Sequence, residues 1–390
     1  MDYSLNRPGW FPAARRFADA LGHTSNFPMA YVHAVFLALS GHIVGRNSHI
    51  RYATALYPNS YVCLVGDSGI HHKSTAIALS LEALGTDLLA DYPPIRSVTT
   101  TPGLLQAMDH CGGSALLTLD EIASMLAKGK QDFGSDLLAS IVELYACPAT
   151  KGTYTRHDPI LVLNTFLTLI AASTVEWLQT SLTASDLMAG FGNRMTFVLG
   201  DPRPERSWPA APVYKEINFA KLRDFNEVCR LSENARDVWN DAYQKFQARQ
   251  RAASPFIRVL AERLPEKALK HCVVQAAWRN DPLVSDAMLR GALDWADYLY
   301  ECLLRLVPSF SSTEAQVLAQ VREGVSTRRK LYDKLGHVWS AEQIKRAIAA
   351  LRWMGLVEEE GEHVVPLDKG PETGKVKSVT SQVRRKAGGK

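Results

Sequence analysis

The stretch Val62-Cys-Leu-Val-Gly-Asp-Ser-Gly-Ile-His-His-Lys-Ser-Thr75 constrains the fold more than any other part of the chain. An apolar β-type run stops at Gly66. A short loop carries Gly69. Lys73, Ser74 and Thr75 then open an apolar-periodic helix expected over Ala76 to Leu84. Strand, glycine-bearing loop and helix in this order make a phosphate-binding P-loop. The physical basis is a set of backbone N–H groups at a helix N-terminus, which surround an anion with partial positive charge. On this reading Gly66, Ser68, Gly69, Ser74 and Thr75 line a polyphosphate seat. Lys73 reaches its outer phosphates, and the Ser74 hydroxyl can ligate Mg2+. The spacing departs from the usual one: Gly66 lies seven positions before Lys73, and His72 stands where the second glycine belongs. A strand-to-helix turn with a chance Lys-Ser-Thr helix start accounts for the same residues taken alone.

At 390 residues the chain exceeds a typical single domain, so two or three are expected. Hydrophobic content of 46% and charged content of 22% suffice for a full core without disulfides or structural metal. The six cysteines (63, 111, 147, 229, 272, 302) are scattered, with no CxxC pair and no zinc-type Cys/His spacing. That usage points to free thiols in a reducing cytoplasm. The N-terminus lacks a signal-peptide pattern. The longest apolar stretch, Phe27 to Val44, contains His33, Ser40 and His42, and reads as a buried helix rather than a membrane span.

Residues 11–46 read as helices. From about 47 to 200, β-type runs alternate with helical patterns, with strands expected at Tyr61–Val65, Ser97–Thr99, Ala115–Leu119, Leu161–Ala172 and Met195–Leu199. This alternation predicts an α/β domain with a mostly parallel sheet. A Pro-rich break (201–212) precedes residues 215–308, which are helical in pattern with no strand-like run. Three further helices follow: Thr313 to Glu323, Thr327 to Leu335, and one opened by the capping-box sequence Ser340-Ala-Glu-Gln343 that runs to Met354. Two β-type runs around Gly361 complete a winged helix-turn-helix pattern. Lys345, Arg346 and Arg352 lie on its third helix, and Arg328, Arg329 and Lys330 start the helix before it. Such a module serves DNA or protein contact, and Glu358-Glu359-Glu360 in the wing opposes contact with phosphates. The segment 368–390 carries seven basic and two acidic residues and few large apolar ones, which predicts a disordered basic tail.

Ala115-Leu-Leu-Thr-Leu-Asp-Glu-Ile122 is an apolar strand ending in two carboxylates, 47 residues after Lys73. At the carboxyl end of a parallel strand they would face the loop, with Asp120 holding Mg2+ and Glu121 polarising the attacking water. The next strand ends in Ser173-Thr174, where a hydroxyl can orient that water and sense the terminal phosphate. Arg194, between the Gly-rich turn Gly190-Phe-Gly-Asn193 and a strand, suits an arginine finger inserted into a neighbouring subunit's site.

The order P-loop, Leu-Leu-Thr-Leu-Asp-Glu-Ile, Glu143-Leu-Tyr-Ala-Cys-Pro148, Ala171-Ala-Ser-Thr-Val-Glu-Trp-Leu178 and Gly190-Phe-Gly-Asn-Arg194 resembles the AAA+-type primase/helicase-associated ATPases of phages, plasmids and mobile elements. It is also similar to minichromosome-maintenance-like helicases. The resemblance covers about residues 25–280. It implies an AAA+ P-loop ATPase core (47–205) and a helical lid (206–310), set between the N-terminal helical segment (1–46) and the winged-helix domain (311–367) and basic tail (368–390) that the residue patterns give. It further implies ATP and Mg2+ as cofactors, Lys270 or Arg263 of the lid as a cation near the phosphates, and assembly as a homo-oligomeric ring, a hexamer. No primase domain is evident, so a primase or polymerase would be a separate partner.

In ring translocases a loop between the acid-bearing strand and the sensor strand lines the pore. Here that places Lys151 and Arg156, with a second basic loop at Lys128 and Lys130, as candidate DNA contacts beside Lys345 and Arg346. Ordinary exposed turns account for either loop equally well. The expected activity is an ATP-driven helicase or translocase on single-stranded or forked DNA. A non-helicase ATPase switch, or a DNA-binding initiator with a weakened site, is the alternative.

Overall fold

The computed structural model describes residues 3–122, 125, 136–154, 159–175, 177–178, 190–204, 208, 210–214, 217–306, 312–354 and 356–367. Lys128, Lys130, Arg156 and the basic segment 368–390 lie outside the described residues.

The chain opens with α1 (Pro12–Leu21), α2 (Met29–Val44), β1 (His49–Tyr52), β2 (Thr54–Leu56), β3 (Tyr61–Val65), α3 (Lys73–Glu82), α4 (Gly85–Asp91), β4 (Pro94–Ile95), α5 (Thr101–His110) and β5 (Ser114–Leu119). Next come α6 (Leu137–Leu144), β6 (Thr150–Tyr154), β7 (Pro159–Leu163), β8 (Phe166–Ser173), β9 (Met195–Val198) and β10 (Val228–Leu231). Then follow α7 (Glu233–Ala252), α8 (Pro255–Ala261), α9 (Leu264–Arg279), β11 (Leu283–Val284) and α10 (Asp286–Leu306). The C-terminal group is α11 (Ser312–Arg322), α12 (Arg328–Leu335), α13 (Ala341–Trp353), β12 (Val357–Glu360) and β13 (His363–Pro366).

The main sheet has five strands in the order β4-β5-β8-β3-β9, and every neighbouring pair is parallel. Every residue of β3 and β8 is buried. Burial on both faces explains why these strands read as unbroken apolar runs rather than alternating ones. The helix α2 is buried at all of its residues, His33 and His42 included, as a helix apolar on every side must be. Among the described residues no helix is long and apolar enough to cross a membrane.

Strand assignment from the sequence misses β1, β2 and β6 and fails in three further places. The expected strand at 97–99 is not one, and the edge strand lies earlier, at β4. The expected single strand Leu161–Ala172 is two, because Asn164 turns the chain at φ 52° between β7 and β8. Residues 215–308 are not purely helical: β10 and β11 join β1 and β2 in a second sheet of order β11-β10-β1-β2. Both strands are short and half-exposed, so they lack the periodicity that marks a strand. The described residues of 217–306 share this sheet and one continuous core with the main sheet, in which α9 packs against α2 and α10 against β9.

The strands β6 and β7 form an antiparallel hairpin. Arg46, just after α2, holds its base by donating to the carbonyls of Cys147, Pro148 and Thr165.

The helices α11, α12 and α13 and the hairpin β12-β13 enclose their own core of Val317, Leu331, Ile344, Leu351 and Val364. Ser340 and Gln343 make the expected capping box. Met354 is buried in the main core, so this module is docked against the rest of the chain through the end of α13.

Candidate active site

The register of the main sheet decides what meets at its carboxyl edge. Val65 pairs with Ser173, and Leu119 pairs with Ala171. Gly66, Ser173 and Glu121 consequently emerge side by side from three adjacent strands. Gly66 N–H donates to the Ser173 carbonyl at 3.2 Å, and Ser173 Oγ donates to Glu121 Oε1 at 2.6 Å. One buried serine therefore joins the glycine loop by its backbone and the acidic strand end by its side chain. The neighbouring Thr174 is used differently: its Oγ1 accepts Trp177 N–H at 3.1 Å, starting a helical turn.

The helix α3 begins at Lys73. Its N-cap, His72, is left-handed (φ 46°) and makes no side-chain cap. The first-turn N–H groups of Lys73, Ser74 and Thr75 thus have no capping side chain, and Ser74 and Thr75 are exposed. Those donors fit an anion by chemistry and by direction. Lys73 Nζ turns back into the loop and donates to the carbonyls of Gly66 at 2.6 Å and Asp67 at 3.2 Å. Partial burial lowers the Lys73 pKa, and the Glu121 carboxylate opposes that shift. Lys73 and Glu121 therefore feel one another across the strand ends. Ser68 and Gly69 are exposed at the loop tip, with Gly69 at φ 77°. Asp120 is exposed beside Glu121. No cluster of three His, Cys, Asp or Glu side chains suited to a metal occurs among the described residues, His71 and His72 included. A divalent ion at Ser74 and Asp120 would need oxygen ligands from a phosphate and water, as Mg2+ commonly takes.

Arg194 does not join this group. It ends a single helical turn (Gly192–Arg194) before β9, and Met195 pairs with Tyr61 at the start of β3. It lies at the opposite edge of the sheet from Gly66, roughly 15–20 Å away along the strand. Its Nη1 donates to the carbonyl of Gly190 at 2.8 Å.

Lys270 is a correction to the expectation of a cation beside the phosphates. It is fully buried at the same far edge, donating to Asn59 O at 3.1 Å and Asn59 Oδ1 at 2.7 Å, with Nζ 3.8 Å from the centre of the Tyr145 ring. Arg263 sits there too, paired with Glu266 at 2.6 Å. Arg194, Arg263, Glu266, Lys270 and Tyr145 line one cavity of about 100 Å³. The Nε–H groups of Arg194 and Arg263 are buried without a hydrogen-bond partner among the described residues. Helical spacing alone could not have shown this grouping, because it depends on which strand start α9 crosses.

The candidate DNA contacts divide. Lys151 pairs with Val162 across the β6–β7 hairpin, on its inner face, and forms an ion pair with Glu143. The hairpin's exposed large apolar side chains are Leu161 and Leu163. This corrects the expectation of a lysine presented outward. On α13, Lys345 is exposed, while Arg346 is 3.4 Å from Glu342. Arg328 and Arg352 converge on Glu359, at 2.7 and 3.1 Å.

No protein-family model matches the chain, and no curated protein matches it.

Proposed function

We propose that the protein is an ATP hydrolase of the AAA+ type that works on DNA as an oligomeric ring, in the manner of a replicative helicase or translocase of a phage or mobile element. The observation that carries the reading is the convergence of Lys73, Glu121 and Ser173 on Gly66 at the carboxyl edge of a parallel sheet. The strand order puts the serine-bearing strand between the loop strand and the acid-bearing strand, which suits a hydroxyl that reports on both.

Each residue has a task that its position supports. The N–H groups at the start of α3 and the Lys73 ammonium hold the phosphates of ATP. Ser74 and Asp120 hold Mg2+, which would neutralise charge on the transferred phosphate. Glu121 takes a proton from the attacking water, and Ser173 fixes the Glu121 carboxylate. Arg194 faces away from its own loop, so any phosphate it meets belongs to a second copy. The C-terminal module supports a winged-helix reading by its three helices, capping box and hairpin.

A second reading, an ATPase switch that binds without unwinding, draws support from charge. Residues 312–367 contain eight basic and eight acidic residues, and Lys151, Arg328 and Arg352 are all matched by glutamates. Strand displacement on a forked duplex separates the two. Displacement that requires ATP supports the helicase, and DNA-stimulated hydrolysis without displacement supports the switch.

A further inference from the structure

The glycine loop is one residue longer than the usual P-loop, and His71 lies inside the longer part. Asp67 N–H donates to His71 Nδ1 at 3.0 Å, so the side chain closes the turn from Asp67 to His71. Left-handed residues reverse the chain on both sides of it, Gly69 at φ 77° and His72 at φ 46°. The imidazole also packs on Gly66, where an added Cβ would come within 2.6 Å of both His71 Cγ and the Tyr31 hydroxyl. Tyr31 is buried in α2, and its hydroxyl donates to the Val65 carbonyl at 2.7 Å. Gly66 is thus held on one side by a core tyrosine and on the other by the loop's own histidine.

We propose that His71 is a positioning residue for the phosphate seat. By holding the Asp67 amide on Nδ1, it fixes the outline of an over-long loop so that Lys73 and the first turn of α3 face one point. Accepting on Nδ1 places the neutral ring's proton on Nε2, so the interaction needs an acceptor at the Nδ1 position and nothing more. Asparagine offers a carbonyl oxygen near that position. Glutamine carries its oxygen one bond farther out, and alanine has none.

The inference rests on the ATPase reading, and the test separates the two. Affinity for a fluorescent nonhydrolysable ATP analogue, ATP turnover and thermal midpoint are measured on full-length wild type, Lys73→Ala, His71→Ala, His71→Asn and His71→Gln. The expected result is an analogue Kd raised about tenfold by His71→Ala, the size of one lost hydrogen bond. His71→Gln is expected to behave similarly, and His71→Asn to stay within about threefold of wild type on the same scale. Turnover at saturating ATP changes less than Kd, and the thermal midpoints stay close together. If His71→Ala melts far below wild type, the Asn and Gln variants decide. Wild-type affinity in His71→Ala, or equal loss in the Asn, Gln and Ala variants, overturns the positioning role alone. Equal analogue binding by wild type and Lys73→Ala overturns the ATPase reading, and the role of His71 with it.

Discussion

Ser173 Oγ donates to Glu121 Oε1 at 2.6 Å, across the boundary between β8 and β5. The bond fixes the carboxylate at the level of Gly66. Replacing Glu121 with Gln keeps the shape and removes the base. ATP turnover should fall by about 100-fold or more, the usual range for a general base, with analogue binding retained. Ser173→Ala should lower turnover less, because the carboxylate remains but loses its anchor. Steady-state turnover beside equilibrium binding checks both. Equal turnover in Glu121→Gln and wild type would remove Glu121 from the mechanism.

Arg194 lies at the far edge of the sheet from its own loop, and its Nε–H is buried without a partner among the described residues. If it serves a neighbour, Arg194→Ala should cost about 1,000-fold in turnover, as loss of an arginine finger does. Mixing Arg194→Ala with Lys73→Ala should restore activity, because each supplies what the other lacks. The mixed sample is assayed at fixed total protein. A mixture no more active than its components would contradict action between subunits.

Buried bases set the pH dependence of stability. Burial pushes His42 and His271 down to about 3 from the ordinary 6.5, and His33 well below it, with nearby His271 adding to the last. The unfolded chain therefore binds more protons than the folded one between pH 6.5 and about 3. This contribution to stability is complete above the unfolded value and is lost as pH falls through the window. Burial likewise lowers Lys267 to about 7 and Lys270 to about 8 from 10.5, so their contribution rises with pH across that upper range. Tm should drop steeply on acidification below the ordinary histidine value, and His42→Leu should blunt the drop. A flat Tm across that range would contradict the buried neutral histidines.

Gly113, between α5 and β5, has φ 89°, and an added Cβ there would lie 2.2 Å from the Leu163 carbonyl at the end of β7. Gly113→Ala should destabilise the protein by about 2 kcal/mol or more, since neither the conformation nor the contact tolerates a side chain. Urea denaturation measures it. A loss below roughly 0.5 kcal/mol, the range of ordinary surface substitutions, would contradict this packing.

The strands that carry the site were legible in the sequence because their burial on both faces leaves an unmistakable apolar run. Tyr61–Val65 matches its expected bounds, and the acid-bearing strand begins one residue before its expected start. The capping box at Ser340 was equally readable, because it depends only on residues close in sequence. What was not readable is set by distant pairing. β10 and β11 exist through their places beside β1, and Lys270 reaches Asn59 rather than the loop because α9 crosses the strand starts. Lys151 illustrates a third limit: alternation in a hairpin gives two faces, and only packing against Glu143 decides which is inside.

The most direct test is ATP turnover by purified wild type and Lys73→Ala under the same conditions, with Mg2+ and with Mg2+ chelated. The account expects Mg2+-dependent turnover by wild type, and turnover indistinguishable from background in Lys73→Ala and in the chelated sample. Turnover by Lys73→Ala equal to wild type would contradict it, since Lys73 is the ammonium that the loop, Glu121 and the start of α3 all surround.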